Sequence, residues 1–378
     1  MNKVFSKSNL KAIREYKCIT IKDLSRHSYI SEEKIRNFED GRENIDLESL
    51  MKLCNALGCS KEDLNRADKL ERLKTNIFFR NQGYINKKEE LSYVQRCKMV
   101  YRIYNFLRYY LKLPKLEDMN FNKSNIEEVA LKLRNQWDID NEPICHMVGL
   151  LESKGFIVCN VNPGKQKVEA FSQVLELEDN KEYIISIGND NKSAARRNYD
   201  LAYELGHCIL HSDIDMSKVS KNEFNKLQEE AMEFAGEFLL PKESFMNDLI
   251  YPNELEFYIE LKNKYIVPIK LLIKRAYDLG AISSRKYEYF IKEMKQQGWD
   301  KKEPLDSNIK ISNPVLMKMC IELLLDKNIM SKSSLMENLR SYGVFVDSYE
   351  IESLLGMKKG SLYSEVSTKK SNILTLKR

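Results

Sequence analysis

The run Tyr199-Asp200-Leu201-Ala202-Tyr203-Glu204-Leu205-Gly206-His207-Cys208-Ile209-Leu210-His211 constrains this chain more than any other stretch. Two imidazoles at i and i+4 of a helix, with a glutamate directly after the first, can hold a zinc ion and supply a general base. Glu204 and His207 stand in that register, but the place of the first imidazole is taken by Tyr203. On a helical projection Leu201, Leu205, Cys208 and Ile209 gather on one face, and Tyr203, Glu204, His207 and His211 on the other. A metal-holding helix needs such a face, and an ordinary amphipathic surface helix has one too.

A chain of 378 residues predicts two or three domains. No apolar run approaches the ~18 residues of a membrane span, and the N-terminus lacks the apolar centre of a signal peptide. The eight cysteines are scattered singly without a C-x-x-C, which predicts reduced thiols in a cytoplasmic protein rather than a disulfide framework or zinc ribbon. Cys145, His146 and Cys159 are expected in the core, as is Cys208. Net charge is only +5, yet residues 67–115 hold twelve Lys/Arg against four Asp/Glu. Such a stretch could track phosphates or be a solvated helical connector.

Residues 8–64 read as short helices. Thr20 caps a second helix and Ser31 a third, in which Ile35 and Phe38 face inward. Leu47, Leu50, Met51, Cys54 and Leu57 form the apolar stripe of a fourth, and Gly41 and Gly58 are placed to end the third and fourth. Farther on, residues 92–113 predict one long helix ending at Pro114. Helices at 125–136 and up to Lys154, ended by Gly155, precede strand-like runs at 156–161, 168–177 and 183–187. The fold class expected is α+β: a helical N-terminal domain, a central domain with a small meander sheet, and a helical C-terminal region.

The segments Leu10-Lys11-x-Ile13-Arg14, Thr20-Ile21-Lys22-Asp23-Leu24-Ser25, Ile35-Arg36-Asn37-Phe38-Glu39-Asp40-Gly41 and Leu50-x-x-Leu53-Cys54-x-Ala56-Leu57 resemble the XRE/Cro-type helix-turn-helix. The resemblance implies duplex DNA as partner and a third helix in the major groove, with Lys34, Arg36 and Asn37, and Lys22 of the second helix, as contacts. Glu32 and Glu33 would put negative charge near phosphates. A helix-turn-helix used for protein contact is the alternative.

Arg196-Arg197-Asn198-Tyr199-x-Leu201-Ala202-Tyr203-Glu204-Leu205-Gly206-His207-x-x-Leu210-His211, with Glu230-Ala231-Met232-Glu233-Phe234-Ala235-Gly236-Glu237-Phe238-Leu239-Leu240-Pro241, resembles the ImmA/IrrE-type metallopeptidases. That family implies zinc held by two histidines and a glutamate of the next helix. Glu204 then matches the general base, and His207 and Glu230 match ligands. Helical periodicity favours Glu230 over Glu229 for the inward position. Tyr203 stands at the missing ligand and could bind metal only as phenolate, which costs ~4 kcal/mol at neutral pH from a reference pKa near 10. His211 either supports the ligands or replaces one. Zinc is therefore expected to be weak or absent, and the catalytic status of the site stays open.

The organisation expected is a helix-turn-helix over 1–66, a basic helical connector over 67–115 and a peptidase-like domain over 116–250. A helical extension follows over 251–305, then a small bundle with a mobile tail over 306–378. The function expected is a cytoplasmic DNA-binding transcription regulator, acting as a homodimer, with a degenerate zinc-peptidase-like sensor or partner-binding domain. The alternatives are a zinc endopeptidase that cleaves a regulatory protein, and an antitoxin-like or defence-linked protein that binds a neighbouring gene product.

Overall fold

The computed structural model describes residues 7–64, 74–79, 86–119, 121–122, 125–160, 170–177, 181–188 and 193–363. The N-terminal helices are α1 (Lys7–Tyr16), α2 (Ile21–Ser28), α3 (Glu32–Asp40), α4 (Leu47–Leu57) and the short α5 (Lys61–Leu64). Thr20 caps α2 in a reciprocal pair with Asp23, and Ser31 caps α3. Gly41 and Gly58 end α3 and α4 with left-handed backbone. Leu10, Ile13, Leu24, Ile35, Phe38, Leu50, Leu53 and Leu57 close a small core of their own.

The chain continues through β1 (Lys74–Phe79), α6 (Lys87–Tyr110), α7 (Ile126–Gln136), α8 (Met147–Ser153), β2 (Ile157–Cys159), β3 (Ala170–Glu176) and β4 (Lys181–Ile187). It then runs through α9 (Ala194–Leu210), α10 (Lys221–Leu239), α11 (Lys242–Asp248), α12 (Phe257–Tyr265), α13 (Ile269–Asp278) and α14 (Ser284–Gln296). The last helices described are α15 (Leu316–Asp326), α16 (Lys332–Ser341) and α17 (Ser348–Leu354). The class is α+β, as the sequence predicts.

The sheet is not the meander expected. Its order is β1-β3-β4-β2, with β2 parallel to β4 and the other pairs antiparallel. The expected strand positions 161, 168 and 169 lie outside the described residues. Successive side chains of a strand point to opposite faces, and here both faces are covered. Phe78, Val158, Val174, Tyr183, Ile185 and Ile187 pack on one side with α7–α10 and α12–α14. Phe79, Ile157, Phe171, Leu175 and Ile184 pack on the other with α6 and the C-terminal bundle. The sheet is thus the middle of three layers.

Within the stretch 67–115, expected as a basic helical connector, residues 74–79 add a strand to the sheet, and Lys98 and Arg102 of α6 are buried along with Tyr93, Tyr101, Tyr104 and Phe106. Burying α6 against the sheet explains the difference, since its apolar residues recur on more than one face. In the helical extension expected over 251–305, Tyr258, Leu261, Ile269, Leu272 and Phe290 join the same core as α9 and α10. The tail from residue 364 lies outside the described residues.

Close backbone approach fixes one of the turns. A Cβ on Gly155, whose φ is +85°, would stand 2.3 Å from the Leu116 nitrogen, so only glycine fits between α8 and β2.

Gln173 of β3 marks a weak point in the layer under α6. It is fully buried, and neither amide atom has a hydrogen-bond partner among the described residues. An unsatisfied buried polar group costs about 1–3 kcal/mol. Gln173→Met, which keeps the volume, is expected to stabilise the chain by about that amount in denaturant titrations. A loss of stability would show that the amide is paired in solution.

Candidate functional site

Helix α9 begins at Ser193, whose side chain accepts from the Arg196 amide. It does not lie on the surface: from Leu201 to Leu210 every residue is buried, so the polar face predicted for it meets protein rather than solvent. Gly206 is why α10 comes so near. A Cβ there would stand 3.2 Å from the Ala231 backbone and 3.1 Å from the Phe234 ring. The close crossing brings Gln228 and Glu230 of α10 against the polar face of α9.

The groups that meet form a chain of contacts. The Tyr203 hydroxyl donates to Oε1 of Gln228. Nε2 of His207 lies 3.4 Å from the Gln228 amide nitrogen, and its Nδ1 lies 3.0 Å from Nδ1 of His211. His211 Nε2 in turn lies 3.0 Å from Glu230 Oε2, and Lys226 stands 3.6 Å from the other carboxylate oxygen. Glu229 is exposed. Glu204 is fully buried and accepts a 2.7 Å hydrogen bond from the Ser172 hydroxyl of β3. Burial, and then the Glu204 charge, push the Cys208 thiol well above its ordinary range, which leaves it an inert core residue.

Two aromatic faces close the histidines in. The Tyr203 ring meets His207 edge-on with centroids 4.9 Å apart. The Phe78 ring of β1 stacks on His207 at 5.1 Å and 14°. The sequence therefore identifies Tyr203, Glu204, His207, His211 and Glu230 as neighbours but misses Gln228, Ser172 in its contact with Glu204, and Phe78. Among the described residues, no group of three or more His, Cys, Asp and Glu is arranged to hold a metal ion.

Cys145 and His146, expected in the core, are exposed, whereas Cys159 is buried. All eight cysteines are free thiols.

In the N-terminal domain, Arg14 of α1 and Glu39 of α3 form a buried bidentate pair at 2.6 and 2.8 Å. It fixes the tilt of α3. On the outer face of α3, Arg36 is exposed and reaches Glu32 one turn back at 3.3 Å, while Asn37 is half-buried. Lys34 turns instead toward the start of α4, 3.2 Å from Asp46 and 3.4 Å from Ser49. Those contacts hold the Asp46 carboxyl far below the usual range, the Ser49 bonds first and Lys34 after them. Lys22, Glu32 and Arg36 line a recess of about 350 Å³ whose opposite wall is Lys88 and Leu91 of α6.

The domain is docked on the rest of the chain through α1. Ser92 and Gln95 of α6 bond to the Tyr16 carbonyl and the Glu15 carboxylate at 2.8 and 2.9 Å. Glu350 of α17 receives both the Tyr16 hydroxyl at 2.6 Å and Arg96 at 2.7 Å. No described helix is long and apolar enough to cross a membrane.

Comparison with known proteins matches two parts of the chain to family models. Residues 9–69 match the Cro/C1-type helix-turn-helix DNA-binding domain, and residues 159–277 match the IrrE N-terminal-like domain of peptidase M78. Comparison with curated proteins returns no match.

Proposed function

We propose that this chain, which joins a Cro/C1-type helix-turn-helix domain to an IrrE N-terminal-like peptidase M78 domain, is a cytoplasmic DNA-binding transcription regulator whose peptidase-like site binds a partner without hydrolysing it. The observation that carries the second half is the pairing of the site's donors with one another. A hydrolytic zinc takes three protein ligands and a water. In this site the Tyr203 hydroxyl is spent on Gln228, His207 faces His211, and Glu230 meets His211 and forms an ion pair with Lys226. This donor set does not fit a catalytic zinc, so no step of a hydrolysis is assigned to it. Glu204 keeps the place of a general base, and Ser172 holds it.

DNA recognition rests on the exposed outer face of α3. Arg36 is the residue best placed to reach a guanine edge, with Asn37 beside it, Lys22 flanking it and Lys88 of α6 across the recess. Lys34 supports α3 from the side of α4. A paired half-site bound by a homodimer is the arrangement such domains use.

Arg36→Ala is expected to weaken binding to the specific site by about 1–3 kcal/mol and to relax the preference at one base pair. Lys88→Ala is expected to weaken all sequences alike and to lower the salt slope by about one unit. Mobility-shift titrations at several salt concentrations separate the two. If the full chain shifts no genomic fragment at low salt, the regulator reading is wrong.

A further inference from the structure

Strand β1 comes from the segment between the helix-turn-helix and α6, yet it pairs with a strand about a hundred residues later in the chain. It takes the outer edge of β3, antiparallel, with Phe78 opposite Ser172. Ser172 is the residue that holds Glu204, and the Phe78 ring covers His207. A foreign strand thus lies directly across the site, one aromatic side chain over its imidazole. An extended polypeptide that docks by strand addition has this geometry: main-chain hydrogen bonds supply affinity, and alternate side chains supply specificity.

What holds β1 is local and can be reproduced by another chain. Asn76 clamps one end, donating to the Ile214 carbonyl and accepting from the Met216 amide. Phe78 fills the face toward α9, and Phe79 fills the face toward α6, where it meets Tyr93 and Phe171. Beyond these, the strand offers six residues of edge pairing and the packing of Ile77 against the α6 layer. A segment with two consecutive aromatic residues in the same register would recover the ring contacts and the edge pairing.

We propose that the outer edge of β3 is a polypeptide-binding site, that β1 is its built-in occupant, and that an extended partner segment bearing two consecutive aromatic residues exchanges for it. The proposal rests on the reading of the central domain as a partner-binding module and names the partner's chemistry. Exchange frees residues 74–79, which lie in sequence between the helix-turn-helix and α6, from the sheet.

The probe is a labelled peptide with the sequence of residues 72–80, with a control in which both phenylalanines are serine. In the full-length protein, excess peptide is expected to strip amide-exchange protection from residues 74–79 while β3 stays protected. Phe78→Ala should bind the peptide about tenfold or more tightly than the natural chain, because the competing occupant is weakened and the open fraction rises. Asn76→Ala, which keeps both rings, should shift the same way and serves if Phe78→Ala does not fold. Unchanged protection of residues 74–79 at saturating peptide would overturn the proposal, as would equal binding of peptide and control to a folded variant. The regulator reading is scored separately by DNA shift: peptide exchange without DNA binding sinks that reading alone, and DNA binding without exchange sinks this one alone.

Discussion

Replacing Glu39 with alanine is expected to destabilise the N-terminal domain by about 3–5 kcal/mol and to abolish specific DNA binding. The magnitude comes from what is left behind. The Arg14 guanidinium stays buried after its bidentate partner has gone, with the Ile19 carbonyl at 3.0 Å and the Glu15 carboxylate at 4.0 Å left beside it. A domain of this size has only about 5–15 kcal/mol of stability in total. The pair also links α1 to α3, so its loss releases the helix that carries Arg36. The paired change Arg14→Met with Glu39→Leu should recover most of the loss, because removing both charges leaves neither unpaired. Thermal melts and mobility shifts of the three proteins test this. A Glu39→Ala protein that melts and binds like the natural chain would show that the pair is not buried in solution.

The contrast between this pair and the central site shows what a sequence can display. The helix-turn-helix is legible because its signals are local: Thr20 and Ser31 cap, Gly41 and Gly58 terminate, and Ile35 and Phe38 repeat at helical spacing. Arg14 and Glu39 lie 25 residues apart, and nothing local says that they meet. The same division runs through the candidate site. Tyr203, Glu204, His207 and His211 share one helix, so their neighbourhood follows from 3.6 residues per turn.

Gln228 meets Tyr203 only because Gly206 lets α10 approach. Phe78 was hidden twice over. Its strand is short, with apolar residues at three consecutive positions rather than alternate ones, and lies in a segment dominated by charge. Its pairing partner is also remote. Parallel β2–β4 pairing escaped for a related reason: three consecutive buried residues in β2 carry no period that reveals a neighbour.

The second large effect is expected at Tyr203. The natural chain should purify with well under one zinc per chain, and Tyr203→His should raise this to close to one, since the change supplies the third ligand of a His/His/Glu set. Rearrangement opposes it. The Tyr203–Gln228 hydrogen bond is lost, worth about 1 kcal/mol. Glu230 must also leave His211 and Lys226, with its side chain still 29% exposed. Contacts of that exposure are worth little after solvent screening, ~0–1 kcal/mol each. Structural zinc sites return roughly 10–16 kcal/mol, so the metal wins by a wide margin. Glu230→Gln in the Tyr203→His background should lower occupancy again. Glu204→Gln in that background should keep the metal and remove any hydrolysis gained, because Glu204 is held by Ser172 in the place of a base and not of a ligand. Metal analysis of untagged protein reads the occupancy of all four, and a peptide-cleavage assay reads the hydrolysis. Stoichiometric zinc in the natural chain, lost on Tyr203→Phe, would mean that the phenol ligates metal after all, and the hydrolytic reading would then replace the silent one.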